Sequence, residues 1–300
     1  MRYTFDELLQ LAEREAGGVD VPARSAIVKE LLHYSILYGL SRSELANAVV
    51  FQGGTSLRLA RGGNRYSEDL DFVCGADASE PFDLRDMEAL LKEHALDRYG
   101  LTMDVVAPKP GPDREFSGDN IAVKRWSFNV NVPGFVAKQK IHFEVVNVPA
   151  YEVETVLLQP RYNFLSDVYS DVALRVESEK EVLADKVVAL VARRHLKARD
   201  LWDLAWLQDR GNKIDFDLVQ KKFADYGVAD IADRIELCRG RLDGPDAAAG
   251  FRAEMVRFVT PTLARQLDNS SFVERYLSGA REVLNKAEEG LELVPAARPG

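Results

Sequence analysis

Apolar positions along the chain change period several times, and each change marks an element. Thr4, followed three residues later by Glu7, forms a capping-box pattern, so a first helix starts there and ends before Gly17-Gly18. From 22 to 40 the period is helical, with Ile27, Leu31, Leu32 and Ile36 on one side. Residues 48–52 read as a short buried strand feeding Gly53-Gly54, residues 83–99 as a helix, and the Pro/Gly-rich stretch 108–112 as a surface loop. Between 121 and 148 the period drops to two, which predicts a hairpin turning at Pro133-Gly134. On its second strand Lys138, Lys140, His142 and Glu144 share one face, and Ile141, Phe143 and Val145 share the other. From 178 to about 284 the pattern is helical again. Ser178 with Glu181 repeats the capping pattern, and Val182, Leu183, Val187, Leu190 and Val191 form an apolar stripe that also contains Lys186. An α/β first half and a mostly helical second half follow, with a tail at 295–300 that has no apolar pattern and is expected to be disordered.

Composition narrows the classes. With 300 residues and 46% apolar content, the chain can bury a sizeable core as one large domain or two modest ones. It has no apolar run long enough to span a bilayer, and the start lacks the apolar stretch of a signal peptide, so cytoplasm is the default expectation. Cys74 and Cys238 are too few for a disulfide framework and are read as reduced, buried thiols. The histidines, His33, His94, His142 and His195, show no ligand spacing with the cysteines, so neither a zinc site nor a Ser-His-Asp hydrolase is predicted. A net charge of −9 argues against a protein that coats nucleic acid nonspecifically, so any such contact must use a local patch. Candidates are Lys124-Arg125, Lys138 with Lys140, Arg193-Arg194 with Lys197 and Arg199, and Lys221-Lys222; the last is read as a solvated basic face.

The chemistry concentrates in two segments. Gly53-Gly54-Thr55-Ser56 is a flexible turn that brings backbone close to an anion and can begin a helix at Thr55 and Ser56, with its amides facing a phosphate. Downstream, Arg65-Tyr66-Ser67-Glu68-Asp69-Leu70-Asp71-Phe72 places Asp69 and Asp71 on one face of a strand and Leu70 and Phe72 on the other. Two hard carboxylates held together suit Mg²⁺, which takes its remaining ligands from water and substrate phosphates. Alone, the first segment is a turn with a helix cap and the second a solvated strand end. Together they point to a nucleoside triphosphate and its magnesium, because two like charges between apolar neighbours need a compensating cation. Ser67, two residues before Asp69, lies on the same edge.

These two blocks resemble the first motif of the nucleotidyltransferase superfamily shared with DNA polymerase beta, in the form used by AbiEii-type toxins of type IV toxin–antitoxin systems. Glu181 to Leu190 and Arg193 to Leu204 are similar to that family's lysine helix and its Arg-Asp-x-x-Asp-Leu block, so the resemblance runs from about 46 to 207. It implies a nucleotidyltransferase core with a mixed β-sheet over 1–165 and a helical C-terminal domain over 166–294 closing a cleft. It also implies phosphate contact by Lys186, a second-domain acid at Asp200, and a third carboxylate beside the paired ones, for which Glu144 fits although the family more often shows Asp. The implied reaction is attack of an RNA hydroxyl, at the 3′ end of tRNA, on the α-phosphate of an NTP. Lys138, Lys140, Arg193 and Arg194 would hold the RNA, and a separately encoded antitoxin would be the partner. Plainer readings stand beside these: Lys186 snorkelling to the rim, Asp200 favouring a helix dipole while Arg199 pairs with Asp203, and Glu144 neutralised by Lys140 or His142. The rival functions are a small-molecule, aminoglycoside-like nucleotidyltransferase and a non-catalytic nucleotide-binding module.

Overall fold

The computed structural model describes residues 3–18, 21–75, 84–108 and 121–292; the loop beyond residue 108 and the tail at 295–300 lie outside the described residues. The chain divides into two units: the described residues of Met1–Pro112 with Ala122–Glu177 and Phe258–Thr262, and those of Asp113–Ile121 with Ser178–Arg257 and Leu263–Gly300.

The first unit starts with α1 (Phe5–Glu15), closed by the capping box that its sequence encodes: Glu7 N donates to Thr4 Oγ1, and Thr4 N donates to Glu7 Oε2. Next, α2 (Val21–Ser41) departs from the one-sided helix expected from its spacing. Ile27, Leu31, Leu32 and Ile36 are buried, but so are Glu30, His33, Tyr34 and Ser35. Burying polar groups requires partners. Glu30 accepts from Arg58 Nε and Nη2 at 2.7 and 3.1 Å, and His33 Nε2 donates to the Glu68 carbonyl at 3.0 Å.

The remaining elements of this unit are β1 (Val50–Gln52), α3 (Gly53–Ala60), β2 (Leu70–Val73), α4 (Arg85–Tyr99), β3 (Met103–Val106), β4 (Val123–Val130), β5 (Gln139–Val146), β6 (Val153–Leu157), α5 (Ser166–Tyr169) and β7 (Ala173–Glu177). The strands build one mixed seven-stranded sheet in the order β3-β4-β5-β2-β1-β7-β6. In it β2 runs parallel to β5 and β1 parallel to β7, while the other neighbours are antiparallel. The hairpin expected between 121 and 148 is β4–β5. Phe51, Phe72 and Phe143, from three adjacent strands, stack with centroids 5.0 and 4.4 Å apart, and Trp126 and Phe128 meet Phe143 edge-on. This aromatic seam anchors one face of the sheet. Strand alternation then forces Gln52, Asp71, Glu144 and Arg125 onto the opposite face.

The second unit is helical: α6 (Glu179–Ala192), α7 (Ala198–Asp209), α8 (Phe216–Asp225), α9 (Ile231–Leu242), α10 (Ala247–Met255) and α12 (Ser270–Gly290), with α11 (Pro261–Gln266) shared between the two units. Ser178 Oγ accepts from Glu181 N at 3.0 Å and starts α6. Trp202 stacks on Tyr276 at 4.6 Å, and Phe251 stacks on Tyr276 at 5.1 Å. Trp206 is half-buried under the Arg210 guanidinium.

Lys222 corrects the solvated face read at Lys221-Lys222. It is 0% exposed, because it falls on the apolar side of α8 with Leu218, Val219 and Phe223. The charge is tolerated there by Glu181 at 2.7 Å and Asp185 at 3.3 Å. Cys238 is buried and Cys74 half-buried, both as free thiols, and burial pushes both upward, Cys238 to about 11. Among the described residues, no helix is long and apolar enough to cross a membrane.

Burial depresses His33 to about 4, against the weaker upward pull of its bond to Glu68 and of Glu30 and Asp69; Lys29 adds to the depression. The folded pKa lies below the unfolded one, so stability is full above about pH 6.5 and falls as the pH drops toward 4. Between pH 7.5 and 4.5 this one group should remove roughly 2–3 kcal/mol. Urea titrations across that range should show a flatter acid limb in His33→Gln, which keeps a donor for Glu68; equal slopes in both proteins would refute the assignment.

Candidate active site

Gln52, Asp71, Glu144 and Arg125 form one row across β1, β2, β5 and β4, each directly opposite the next. β1 runs straight into α3 at Gly53, whose φ of +75° lies in the left-handed region that favours glycine. A Cβ on Gly53 would stand 2.8 Å from Asp71 Oδ2, and one on Gly54 would stand 2.2 Å from Arg65 Nη2. The Asp71 carboxylate and the Arg65 guanidinium therefore occupy the space that side chains on these two positions would fill.

The helix begins at Gly53, two residues before the expected start at Thr55 and Ser56. Both hydroxyls donate to backbone, Ser56 Oγ to the Gly53 carbonyl at 2.8 Å and Thr55 Oγ1 to the Asp69 carbonyl. The loop before Asp69 is held from several sides. His33 holds the Glu68 carbonyl, Lys29 pairs with the Glu68 carboxylate at 2.9 Å, and Tyr66 N donates to the Phe258 carbonyl at 2.7 Å. Arg65 Nη1 donates to the Tyr66 carbonyl at 2.9 Å, and Ser67 is buried within the same loop. The half-buried Asp69 carboxylate makes no hydrogen bond or ion pair with another described residue.

Glu144 is neutralised, but not by the neighbours expected on its own strand. Its partner is Arg125 on β4, whose Nε lies 2.6 Å away. His142 meets Ser127 at 3.2 Å instead, and Lys140 is exposed. Lys138 is tied to Asp104 at 2.8 Å. The hairpin register is what brings Arg125 across from Glu144, and local sequence carried no signal for it beyond the shared alternation.

No group of three or more His, Cys, Asp or Glu among the described residues is arranged to hold a metal ion. The donor chemistry of Asp69 and Asp71 nevertheless fits Mg²⁺, which commonly uses one or two carboxylates and completes its shell with water and phosphate oxygens. The glycine at 53 is what leaves room for the Asp71 carboxylate beside the helix start.

In the second unit a separate charged cluster surrounds Lys186. Its ammonium sits 2.7 Å from Asp200 Oδ1 and 2.9 Å from Asp203 Oδ2, and Arg193 Nε lies 3.1 Å from Asp200 Oδ2. Lys186 is 9% exposed, so it does not snorkel freely to the rim. Arg199 meets Glu254 at 3.2 Å, and Asp203 meets Lys186 at 2.9 Å. From the sequence Asp203 was named only as a partner for Arg199, although its spacing of three from Asp200 puts both acids on one side of α7. Arg193 and Arg194 are exposed in the second unit, whereas Lys138 and Lys140 belong to the first.

A mixed sheet with in-register acids behind a glycine-opened helix start, followed by a helical unit, defines a nucleotidyltransferase fold. The chain belongs to the AbiEii nucleotidyl transferase toxin family of type IV toxin–antitoxin systems, whose model matches residues 35–276. Among solved structures, JHP933 from Helicobacter pylori is 19% identical, with 89% of this chain and 95% of that one covered and a TM-score of 0.53. A second Helicobacter pylori protein is 18% identical over 90% of this chain and 98% of its own, also with a TM-score of 0.53. MenT4, a nucleotidyltransferase toxin from Mycobacterium tuberculosis H37Rv, is 21% identical over 96% and 99%, with a TM-score of 0.49. The two Helicobacter likenesses speak for the fold, and membership rests on the family model. No curated protein matches the chain.

Two stability tests follow from this geometry. Gly53→Ala must hold a left-handed φ and displace Asp71, and should cost at least about 1–2 kcal/mol. Gly240→Ala, on α9 where a Cβ would meet nothing within 4 Å, should instead add about 0.5–1 kcal/mol. Urea unfolding of both variants checks the contrast, and a neutral Gly53→Ala would remove the steric argument.

Lys186→Met leaves Asp200 and Asp203 facing each other and should cost about 3–5 kcal/mol. Adding Asp203→Asn should recover part of that loss, giving a favourable coupling in a double-mutant cycle. Strict additivity would mean that the cluster is not held together by its charges.

Proposed function

We propose that this protein transfers a nucleoside monophosphate from an NTP to an RNA hydroxyl, at the 3′ end of tRNA, and so acts as a cytoplasmic toxin that blocks aminoacylation and growth. The observation that carries the reading is the row of Asp71 and Glu144 in register on β2 and β5, beside the Gly53 start of α3. Asp69 and Asp71 would hold Mg²⁺, which when bound would neutralise charge on the triphosphate. The amides of Gly53 and Gly54, with Thr55, Ser56 and Ser67, would contact phosphate or ribose oxygens. Their hydroxyl donors already serve the backbone at Thr55 and Ser56, so those two would contribute mainly through their amides.

In the transfer itself, the acceptor oxygen forms a bond to the α-phosphorus, the bond to the β-phosphate oxygen breaks, and pyrophosphate leaves. The hydroxyl proton passes to a carboxylate, Glu144 or Asp200. Lys186 would steady the departing phosphates, a role supported by family membership and by its place between Asp200 and Asp203. Lys138, Lys140, Arg193 and Arg194 would contact the RNA backbone. Family membership further implies an antitoxin as partner.

The decisive experiment incubates purified protein with each labelled NTP and total tRNA. Label should enter tRNA at its 3′ end, and Asp69→Asn or Asp71→Asn should lower that rate at least about 10²-fold while the far-UV spectrum and melting temperature persist. Label entering a small cationic alcohol, and no RNA, would establish the antibiotic-type reaction instead. Near-normal turnover by either variant would remove the metal role assigned to the two acids.

A further inference from the structure

On the second unit, α9 carries Arg234, Leu237 and Arg241 at helical spacings of three and four, so the three side chains form one stripe. Leu237 is 60% exposed, well beyond any other large apolar side chain described in that unit. Arg234 Nη1 donates to the Ala192 carbonyl at 3.1 Å and Arg241 Nη1 to the Arg193 carbonyl at 2.9 Å, while Arg234 Nε donates to the Ala229 carbonyl. Both guanidiniums thus stand at the C-terminal end of α6, beside the loop that presents Arg193, Arg194 and His195.

Several other arginines of this unit are matched to acids: Arg199 to Glu254, Arg210 to Glu179, Arg239 to Glu288, Arg275 to Asp209 and Arg281 to Asp243, whereas Arg252 donates to the Leu267 carbonyl. Arg194, Arg234 and Arg241 meet no carboxylate among the described residues. Capping the end of α6 accounts for part of this, since a helix C-terminus carries about half a negative charge. Three guanidiniums exceed that need several-fold. An exposed leucine between two of them has no part in capping.

We propose that the Arg234–Leu237–Arg241 stripe, with Arg194, docks the phosphate backbone of the acceptor RNA. The proposal rests on the RNA reading given above. Each guanidinium has five N–H donors and keeps most of them for phosphate oxygens after its carbonyl contacts. Arg234 and Arg241 stand about 10 Å apart along the helix, so they address different phosphates, and Leu237 lies against the ribose or base between them. Charge complementarity selects this occupant: the chain as a whole is at −9, and a polyanion is drawn only to a face where positive charge is left unmatched.

The test uses full-length protein and fluorescein-labelled total tRNA, with binding followed by anisotropy over a range of salt and with a melting temperature for every variant. Leu237→Ala, which removes an open side chain and cannot unsettle the fold, should weaken tRNA binding several-fold with an unchanged salt slope. Arg241→Lys should keep most of that slope. Arg234→Gln with Arg241→Gln should weaken binding roughly tenfold or more and reduce the log–log slope by about 1.4–1.8, each phosphate contact contributing about 0.7–0.9. In turnover, KM for tRNA should rise in step while KM for NTP stays. A wild-type protein that binds no tRNA would overturn the acceptor reading and this proposal with it. If the wild type binds tRNA and the leucine and glutamine variants bind it equally well, with the same slope, the proposal alone is overturned, and equally so where those variants lose a protein partner instead.

Discussion

Asp71 and Glu144 stand in register on neighbouring parallel strands, and carboxylates so placed repel each other unless something beside them compensates. The surrounding architecture answers that constraint. Arg125, one strand further along, takes Glu144 at 2.6 Å. Gly53, at the other end of the row, makes room for Asp71 where any other residue would press on its oxygen. The aromatic seam on the reverse of the sheet fixes which residues face this way, because sliding β2 or β5 by one residue would bury an acid and expose a phenylalanine. The site is thus a consequence of how the sheet is anchored, and the Gly-Gly turn follows from the room that one of its acids needs.

The same logic recurs wherever the chain buries charge. Glu30 with Arg58 lies under α3, Lys222 with Glu181 and Asp185 joins α8 to α6, and Lys186 with Asp200 and Asp203 joins α6 to α7. Such pairs are weak sources of stability, since desolvation offsets most of their attraction, yet breaking one leaves an uncompensated charge that costs several kcal/mol. Their effect is specificity of arrangement: only one packing of α6 against α7 and α8 satisfies both lysines at once. A lysine fixed between two acids also differs chemically from a free one. Lys186 can meet an incoming phosphate only by sharing or exchanging carboxylate contacts, so its position is set before any ligand arrives.

Sequence patterning revealed faces well and partners poorly. The alternation of Leu70, Asp71 and Phe72, and the face shared by Lys140, His142 and Glu144, follow from a period of two that holds whatever the neighbours are, while Asp69 stands just before β2. Register is another matter. A tight turn at Pro133-Gly134 would set Val123 opposite Glu144, whereas the observed pairing, with a longer connection, sets Arg125 there; the face is the same and the chemistry differs. Helix α2 was legible as a helix but not as one buried nearly all round, because the partners that allow Glu30 and His33 inside are Arg58 and Glu68, far outside any local window. Lys222 was misread for that reason: its acids lie on another helix, and a basic pair in isolation looks like surface. Family resemblance drew attention to Lys186 and Asp200, which periodicity alone would have assigned to a rim and a helix end.

Electrostatics divides the molecule between two tasks that pull in opposite directions. Acids at Asp69 and Asp71, set in a chain already at −9, repel a polyanion and make any nucleic-acid contact depend on positive charge left unmatched locally. Five arginines in the helical unit supply little of it, because each already faces a carboxylate a few ångströms away. Such pairing keeps a protein rich in both signs from binding polyanions indiscriminately. Arg194, Arg234 and Arg241, which meet no carboxylate among the described residues, leave positive charge unmatched around the end of α6. The reaction proposed above, which brings together a triphosphate and an RNA chain, would gain from this distribution, because binding would be confined to a few orientations and the acidic body would reject the rest.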